Sequence, residues 1–179
     1  MRKIQNAELG RKSVEEFKTS PKRPLILVLD DVRSLNNIGS ILRTADAFLC
    51  EAVYLCGITA QPPHREIHKT ALGAEDSVDW KYFENVLDAL RELKLEGFIL
   101  AAIEQAEGGI LLNEFQPLRD QKYAYVLGHE VNGVSDQALA LCDLALEIPQ
   151  EGTKHSINVA VCAGIVVWDF VVKGIRYKV

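Results

Sequence analysis

The sequence lacks the features that mark secreted, zinc-binding and membrane proteins. Its four cysteines stand in apolar surroundings, without paired spacing or nearby histidines, so they are predicted to be reduced core thiols. No apolar stretch follows the first methionine, and the longest nearly unbroken apolar run, 159–168, is about half of the ~20 residues that a membrane span needs. We therefore expect a soluble, cytoplasmic protein without a membrane partner.

The chain also lacks the excess of positive charge that is typical of nucleic-acid-binding proteins. Its formal net charge is −5, and its charged (25%) and hydrophobic (48%) fractions are those of an ordinary globular domain. Basic residues are concentrated in 1–24, where seven lysines and arginines, including Arg11 and Lys12, stand against three glutamates. A solvated helix surface is the simpler explanation of this run, and RNA binding is the alternative. We divide the chain into this basic N-terminal extension, 1–24, and one domain, 25–179.

Glycine-rich phosphate loops, nucleophile elbows and clustered metal ligands are missing as well. A single glycine, Gly39, follows the first apolar run closely, which excludes a dinucleotide-binding fingerprint, and no P-loop motif occurs. His64 and His68 have helical spacing, but two nearby prolines and the lack of a matching acidic residue argue against a metal site. We therefore expect no metal ion.

What the chain does contain is an alternation of apolar, β-prone runs with segments of helical periodicity. Strands are predicted at 25–29, 53–56, 98–103, 123–127 and 144–148. Helices are predicted between Ser13 and Pro21, at 38–48, 86–95 and 136–142 and after 156, with N-caps at Ser13, Asn85 and Ser135. Residues 57–79 are predicted to be an irregular loop. This alternation predicts an α/β fold with a mostly parallel sheet flanked by helices, in which ligands bind at the carboxyl ends of the strands.

The loop before the last helix is unusually polar for its position. Lys154, His155, Ser156 and Asn158 precede a helix that has almost no polar face. A serine at this point can cap the helix by accepting hydrogen bonds from its free amides, which would explain Ser156 without any further function. A binding site at the end of the fifth predicted strand is the alternative, and this loop alone does not decide between the two.

Three segments at the ends of predicted strands together resemble the three motifs of the SpoU (TrmH-like) family of RNA 2′-O-ribose methyltransferases, within the SPOUT class. They run from Asn37 to Arg43, from Gly128 to Gly133 and from Ile148 to Asn158. The resemblance covers roughly residues 25–170. It implies S-adenosylmethionine as the methyl donor, a homodimer with the active site at its interface, and a C-terminal deep trefoil knot. Because knots are rare exceptions among folds, the knot rests on the resemblance alone.

The resemblance assigns catalytic roles to residues of all three motifs: Arg43, Asn37, Glu130, Ser156 and Asn158. Because a guanidinium group hardly loses its proton, we expect Arg43 to clamp a phosphate and stabilise the developing alkoxide rather than to act as a base. A surface ion pair of Arg43 with Asp46 or Asp30 is the alternative. Ser156 and Asn158 would hydrogen-bond the ribose or the carboxylate of the donor.

The acidic residue of the second motif and two histidines have structural alternatives too. Glu130 is expected to orient Asn37 or Arg43, or else to cap backbone amides in the loop that follows it. An imidazole can accept a proton near neutral pH, but we interpret His129 and His155 as bystanders. Methyl transfer needs alignment and an activated hydroxyl more than a metal, which agrees with the missing metal motif.

Five residues are expected to line the donor site: Gly128, Ile148, Ile157, Leu127 and Ala102. An adenine ring needs an apolar slot with backbone groups at its edge, and a glycine permits close approach of the backbone. Core packing is the simpler explanation of the two isoleucines. In the last helix, the small residues Ala160, Ala163 and Gly164 fit either close packing on a partner helix or burial within one chain.

RNA contact is expected from six basic residues: Arg43, Arg33, Arg65, Lys69, Arg11 and Lys12. Residues 1–24 are too short for the separate RNA-binding domain that many relatives carry, and Leu49 and Cys50 stand where the family usually has a glycine. We predict methylation of a ribose 2′-hydroxyl in structured RNA, with tRNA favoured over rRNA and no DNA partner. The alternatives are a non-catalytic RNA-binding relative that acts in RNA folding or ribosome assembly, and a small-molecule methyltransferase.

Overall fold

The computed structural model describes residues 1–176, which contain seven strands and seven α-helices. The strands are β1 (Arg23–Asp30), β2 (Cys50–Cys56), β3 (Trp80–Phe83), β4 (Phe98–Ile103), β5 (Ile110–Leu111), β6 (Lys122–Leu127) and β7 (Leu144–Glu147). The helices are α1 (Val14–Thr19), α2 (Leu35–Ala47), α3 (Arg65–Ala71), α4 (Ala74–Ser77), α5 (Val86–Leu95), α6 (Asp136–Leu141) and α7 (Val159–Arg176). None of these helices is both long and apolar enough to cross a membrane.

All seven strands form one parallel sheet, in the order β3-β2-β1-β6-β4-β7-β5. This arrangement confirms the predicted parallel α/β architecture. The order is not sequential, because β6 lies between β1 and β4. As a result, the loops that follow β1, β6, β4 and β7 open side by side at the carboxyl edge of the sheet, where ligands bind in folds of this kind.

Helices cover both faces of the sheet. Along β1, Leu25, Leu27 and Leu29 belong to the core that includes α2 and α7, whereas Ile26 and Val28 belong to the core that includes α5 and α6. This alternation follows from the two-residue period of a strand. Burial on both faces explains why β1 is an unbroken apolar run in the sequence.

The predicted helix caps are confirmed in two cases out of three. At α1 the amide of Glu16 donates to Ser13 Oγ at 3.1 Å, and the amide of Ser13 donates to Glu16 Oε2 at 2.7 Å, which is the expected capping box. At α5 the amide of Leu87 donates to Asn85 Oδ1 at 2.8 Å. Ser135 occupies the N-cap position of α6, but its side chain makes no capping hydrogen bond, so that part of the prediction is wrong.

The N-terminal extension packs on the domain through α1. Phe17, on this helix, is only 4% exposed and belongs to the same core as α2. The first strand begins at Arg23, two residues before the predicted start of the domain. The boundary at residue 25 stays a prediction, and the last residues of the predicted domain, 177–179, lie outside the described residues.

The prediction of an irregular loop at 57–79 is wrong, because this stretch contains α3 and α4. Helices of seven and four residues are too short for a helical period to stand out beside two prolines. The short strands β3 and β5 were not predicted either.

α3 packs closely on α2 at Gly39, where an added Cβ would lie within 3.0 Å of Thr70 Oγ1 and of the carbonyl oxygen of Ile67. Helix packing therefore explains the glycine of the first motif.

Leu49 takes the left-handed backbone conformation (φ 54°) between α2 and β2. Glycine adopts this conformation without strain, and this is where the chain departs from the glycine of the family. At this turn a leucine therefore holds a backbone conformation that favours glycine.

Candidate active site

The loops that follow β1 and β6 meet because these two strands are neighbours in the sheet. Glu130 Oε1 accepts hydrogen bonds from the side-chain amide of Asn37 at 3.0 Å and from the backbone amide of Ser34 at 2.9 Å. Its other oxygen, Oε2, accepts one from the amide of Arg33 at 3.1 Å. Glu130 thus orients Asn37 and accepts hydrogen bonds from the free amides before α2. It does not cap the amide of Ser135, in the loop that follows Glu130, because that amide donates to Asp30 Oδ2 at 2.9 Å.

The environment of Glu130 favours its ionised form. Burial raises its pKa, but the hydrogen bonds from the amides of Arg33 and Ser34 and from the side chain of Asn37 together outweigh burial, so the pKa is lowered from its ordinary value. Glu130 is therefore a carboxylate at neutral pH and a hydrogen-bond acceptor only.

Asn158 connects the third loop to the other two. Its side-chain amide donates to Asn37 Oδ1 at 3.2 Å, and its Oδ1 accepts hydrogen bonds from the amides of Ala160 at 2.9 Å and Val161 at 3.3 Å. Asn158 therefore caps α7, and the interpretation of Ser156 as the cap is wrong. Ser156 is exposed and has no hydrogen bond to any residue that the structure describes.

A cavity of about 380 Å³ lies beside this chain of hydrogen bonds. Its wall comes from the loops after β4, β6 and β7 and from the start of α7. Four of the five residues predicted for the donor site line it: Leu127, Gly128, Ile148 and Ile157. Ala102 does not, because it is fully buried in the core on the α5 side, and its neighbour Ile103 lines the cavity instead. The two-residue period of β4 accounts for this difference.

The glycine of the second motif is required by the loop itself. A Cβ added at Gly128 would lie within 3.0 Å of the carbonyl carbon of Gly133 and of the amide nitrogen of Val134. We predicted that Gly128 lets a ligand approach the backbone closely. In the structure, it is the backbone of Gly133 and Val134, in the same loop, that approaches Gly128. This fold-back also allows the paired backbone hydrogen bonds between His129 and Gly133, at 3.0 and 2.8 Å.

Glu104 holds the loop after β4 against this second-motif loop, and sequence reasoning missed it. Its Oε2 accepts a hydrogen bond from the amide of Val134 at 3.0 Å, and its Oε1 accepts one from the amide of Gln105 at 2.9 Å. Gly133, with φ 69°, leaves no room for a Cβ beside this carboxylate. The available signal was an acidic residue directly after a predicted strand, at the ligand-binding edge of the sheet.

The cavity has a negative lining. Glu104, Glu130 and Glu147 contribute to it, and no lysine or arginine does so among the described residues. His129 Nδ1 accepts hydrogen bonds from the amides of Val131 at 3.0 Å and Asn132 at 3.3 Å. In its neutral form this ring carries its proton on Nε2, so His129 can donate a hydrogen bond to a ligand but is poorly placed to take a proton from one.

The described residues of this site include neither a cluster of metal ligands nor an ionised thiol. Among residues 1–176 there is no group of three or more His, Cys, Asp or Glu side chains that could hold a metal ion. The thiol of Cys162 lines the cavity, but burial raises its pKa to about 12, so it stays protonated. All four cysteines are free thiols.

Arg43 does not lie in this cavity. It is exposed on α2 and lines a separate groove of about 450 Å³ together with Ser40, Thr44 and Lys69. Six residues of helix separate it from Asn37, which is about 9 Å along the axis. It has no ion pair or hydrogen bond to any described residue, so the alternative of a surface ion pair with an aspartate is wrong.

The other predicted RNA contacts are exposed but dispersed. Arg33 adjoins Glu130, and Lys69 shares the groove of Arg43, where its Nζ is 2.7 Å from Glu66 Oε1. Arg65 lines a different cavity, beyond α3. The remaining two, Arg11 and Lys12, belong to the N-terminal extension. The structure does not gather these side chains into one surface.

A parallel α/β sheet whose adjacent carboxyl-end loops enclose a cofactor-sized cavity defines a small-molecule-binding α/β protein. The chain belongs to the SpoU rRNA Methylase family, whose sequence profile matches residues 24–168.

Two relatives show the range of this family. The 23S rRNA (guanosine-2′-O-)-methyltransferase RlmB of Nitrosomonas europaea is 37% identical over 145 residues, which cover 81% of this chain and 55% of that protein. The tRNA (guanosine(18)-2′-O)-methyltransferase of Thermus thermophilus is 30% identical over 166 residues, which cover 92% and 83%. The chain thus spans about half the length of the first of these relatives.

A solved structure agrees with the fold. The SpoU methyltransferase AviRb from Streptomyces viridochromogenes, in complex with the cofactor AdoMet, superposes with a TM-score of 0.76 at 24% sequence identity. The match covers 89% of this chain and 64% of that protein.

Exchange of Glu130 for glutamine should weaken the hydrogen bonds between the loops that follow β1 and β6, and this effect should depend on pH. Because the folded-state pKa is lowered, the stabilisation by this carboxylate is fully present above the unfolded pKa of about 4.3 and is lost as the pH falls through the folded value. We expect E130Q to lower the free energy of unfolding by about 1–2 kcal/mol at pH 7 and by less at pH 3. Urea titrations at both pH values measure this loss.

The matched control for this exchange is Glu151→Gln, at an exposed position of the loop before α7. We expect this variant to stay within about 0.5 kcal/mol of the wild type at both pH values. An equal loss for E130Q at pH 7 and pH 3 would contradict the role of the charge.

Proposed function

We propose that the protein is an S-adenosylmethionine-dependent methyltransferase that methylates a ribose 2′-hydroxyl in structured RNA. The observation that carries this proposal is the chain of hydrogen bonds from Glu130 through Asn37 to Asn158, which joins the three family motifs beside a cofactor-sized cavity. The relatives named above are rRNA and tRNA 2′-O-methyltransferases, which supports the same reaction class.

The cavity fits the methyl donor in size, shape and charge. Its volume of about 380 Å³ lies within the range of small-molecule sites, ~300–1,000 Å³. Leu127, Ile148 and Ile157 offer an apolar slot for an adenine ring. The three glutamates of the lining suit a ligand that carries a positive sulfonium and an ammonium group, since opposite charges attract across a partly dehydrated pocket. When bound, S-adenosylmethionine supplies an activated methyl group for attack by an oxygen nucleophile.

The side chains around the cavity then have positioning roles. Asn37 and Asn158, held by Glu130 and by the start of α7, have fixed amides to orient the ribose of the substrate. Ser156 is exposed at the same mouth and is free to hydrogen-bond the ribose or the donor carboxylate. Arg43 clamps a phosphate and stabilises the alkoxide that develops on the 2′-oxygen.

Because Arg43 and the donor cavity lie apart in one chain, we propose that a second copy brings them together in a homodimer. The groove of Arg43 includes Phe48, whose ring lies 5.7 Å from that of Trp168 on the outer face of α7. Trp168 and Val161 are each 55% exposed, although both are large and apolar, and they line an open apolar groove along this helix. Such a face is typical of a surface that a partner covers.

Trp168→Glu should therefore break the dimer. A charged side chain at the centre of an apolar interface leaves a buried, unpaired carboxylate on each subunit, so association weakens by several orders of magnitude. Sedimentation velocity at micromolar concentration should give a dimer for the wild type and a monomer for W168E. The matched control is Leu95→Glu at the end of α5, where a leucine is 90% exposed on the other side of the sheet. A monomeric wild type, or a W168E variant that remains dimeric, would contradict this proposal.

We also propose that the C-terminal part of the chain, from the loop after β6 through α7, is threaded as the trefoil knot that the family resemblance implies. The proposed domain is 25–179, with 1–24 as a basic extension. The location proposed for the protein is the cytoplasm, which agrees with its four free cysteines.

The substrate proposed first is tRNA, with rRNA as the second candidate. Scattered cations and a net charge of −5 suit a compact RNA that is recognised by shape better than a long helix held by many phosphate contacts.

Transfer of tritium from labelled S-adenosylmethionine to separate tRNA and rRNA pools tests this choice. We expect incorporation into the tRNA pool at least tenfold above the rRNA pool, and the reverse ratio would favour rRNA. Donor binding without incorporation into any RNA would favour the non-catalytic RNA-binding alternative. Incorporation only into low-molecular-weight acceptors would favour a small-molecule methyltransferase.

A further inference from the structure

A second cavity of about 500 Å³ lies on the outer side of α3 and α4, next to the edge strand β3. It shares no residue with the donor cavity or with the groove of Arg43. Neither the family motifs nor the proposed methyl transfer uses it. Its volume is that of a site for a nucleotide-sized group.

An aromatic ring forms one side of this cavity. Trp80, the first residue of β3, is half-buried: it packs against the core and also lines the cavity together with the buried Pro62. An indole held in this way by the core is a rigid platform, on which any of the bases can stack because each has a flat aromatic face.

The polar side chains of the cavity are partly paired and partly without partners. His68 Nδ1 lies 2.5 Å from Glu75 Oε1, and Glu75 Oε2 accepts a hydrogen bond from the amide of Gly73 at 3.0 Å. Arg65 and Asp76 line the same cavity, are exposed, and have no side-chain hydrogen bond or ion pair to any described residue. A free guanidinium group and a free carboxylate are suited to a phosphate and to the amino edge of a base, respectively.

We propose that this cavity holds an unpaired nucleotide of the RNA substrate, with its base on Trp80 and its phosphate on Arg65. The proposal rests on the proposed function, since the RNA is the same one that Arg43 contacts. α3 lies between the two sites, and Lys69 on this helix faces the groove of Arg43. A helix is ~10 Å across, which about three stacked nucleotides span at ~3.4 Å each. The nucleotide at Trp80 is therefore about three positions from the one that Arg43 clamps.

Two substitutions of Trp80 separate stacking from simple apolar packing. We expect Trp80→Leu to raise the Kd for the RNA substrate about tenfold and to leave the affinity for S-adenosylmethionine unchanged. Trp80→Phe should keep the Kd for the RNA substrate within threefold of the wild type. If Trp80 had only a structural role, the two variants would have the same Kd for RNA. Thermal unfolding of both variants checks that they fold. Fluorescence anisotropy with end-labelled RNA measures the Kd.

The matched pair for the cation is Arg65→Ala and Arg91→Ala. Arg91 is exposed on α5, where it pairs with Asp88 at 2.9 Å, on the opposite face of the sheet. We expect at least a fivefold rise in the RNA Kd for R65A and none for R91A. If W80L and W80F bind RNA equally well, or R65A equals R91A, while the wild type methylates RNA, the cavity proposal alone is overturned. If the wild type neither binds nor methylates any RNA, both proposals fail.

Discussion

Arg43→Ala is expected to reduce methyl transfer to RNA at least 100-fold while the Kd for S-adenosylmethionine stays within twofold of the wild type. Removal of one donor that stabilises a developing oxyanion costs ~10²–10³ in rate. We expect donor binding to be unchanged because Arg43 lines a separate groove that shares no residue with the cavity. Single-turnover kinetics and isothermal titration calorimetry measure the two quantities.

Arg43→Lys is the companion variant, because it keeps the charge but not the planar fork that binds a phosphate at two points. We expect it to recover less than about a tenth of the lost rate. Activity of R43A within threefold of the wild type would contradict the assigned role. A loss of donor affinity equal to the loss of rate would instead assign Arg43 to the donor site.

Mixed dimers test whether Arg43 acts on the cavity of the partner. When R43A and N158A are unfolded together and refolded, about half of the dimers are mixed by random pairing. If Arg43 acts across the interface, each mixed dimer has one intact site and one site with both substitutions, so about a quarter of the wild-type activity returns. If Arg43 serves its own subunit, every site carries one substitution and the mixture stays inactive.

Gly128→Ala is the substitution with the second largest expected effect. The added Cβ would overlap with the backbone of Gly133 and Val134, and backbone cannot rotate away as a flexible side chain can. The loop must therefore open, which should destabilise the protein by about 1–3 kcal/mol and raise the Kd for S-adenosylmethionine at least 30-fold. Thermal unfolding and calorimetric titration measure these changes.

Gly152→Ala is the matched control, because a Cβ at Gly152, in the third-motif loop, has no atom within 4 Å. We expect G152A to bind the donor with a Kd within threefold of the wild type. If G128A also binds the donor normally, the cavity between the loops after β6 and β7 is not the donor site.

Sequence patterns predicted the parts of the fold that depend on long apolar runs. The run from Leu25 to Leu29 and the two runs ending at Ile103 and Leu127 are buried on both faces, so their composition alone indicated central parallel strands. The three motif loops follow such strands, and the side-by-side order of β1, β6, β4 and β7 then brings them together.

The missed features depend on contacts that no local pattern encodes. The helices α3 and α4 are short, and the position of α3 follows from the missing Cβ of Gly39, a tertiary contact. Glu104 joins two loops across 30 residues of sequence, and nothing in its neighbours predicts the partner amide of Val134. The assignment of the cap to Ser156 failed because α7 starts at Val159, two residues later than a cap at Ser156 would place it, so that Asn158 is the cap.

The separation of Arg43 from the proposed donor cavity was also beyond a single-sequence argument. Helical geometry gives the distance between Asn37 and Arg43 along α2, but which face of the helix is covered depends on α3 and α7. This separation is the reason for the proposed homodimer. The resemblance already implied an active site at the interface, and the proposal adds that the partner subunit is the means by which Arg43 reaches a donor.

The chemical position of the transferred methyl group tests the central claim most directly. The protein is incubated with S-adenosylmethionine and tRNA or rRNA, the RNA is digested to nucleosides, and the products are identified by mass spectrometry. The proposed function predicts a nucleoside that carries the new methyl group on its ribose 2′-oxygen, formed by the wild type and not by R43A. A methyl group on a base, or no transfer to any RNA by a protein that binds the donor, would contradict it.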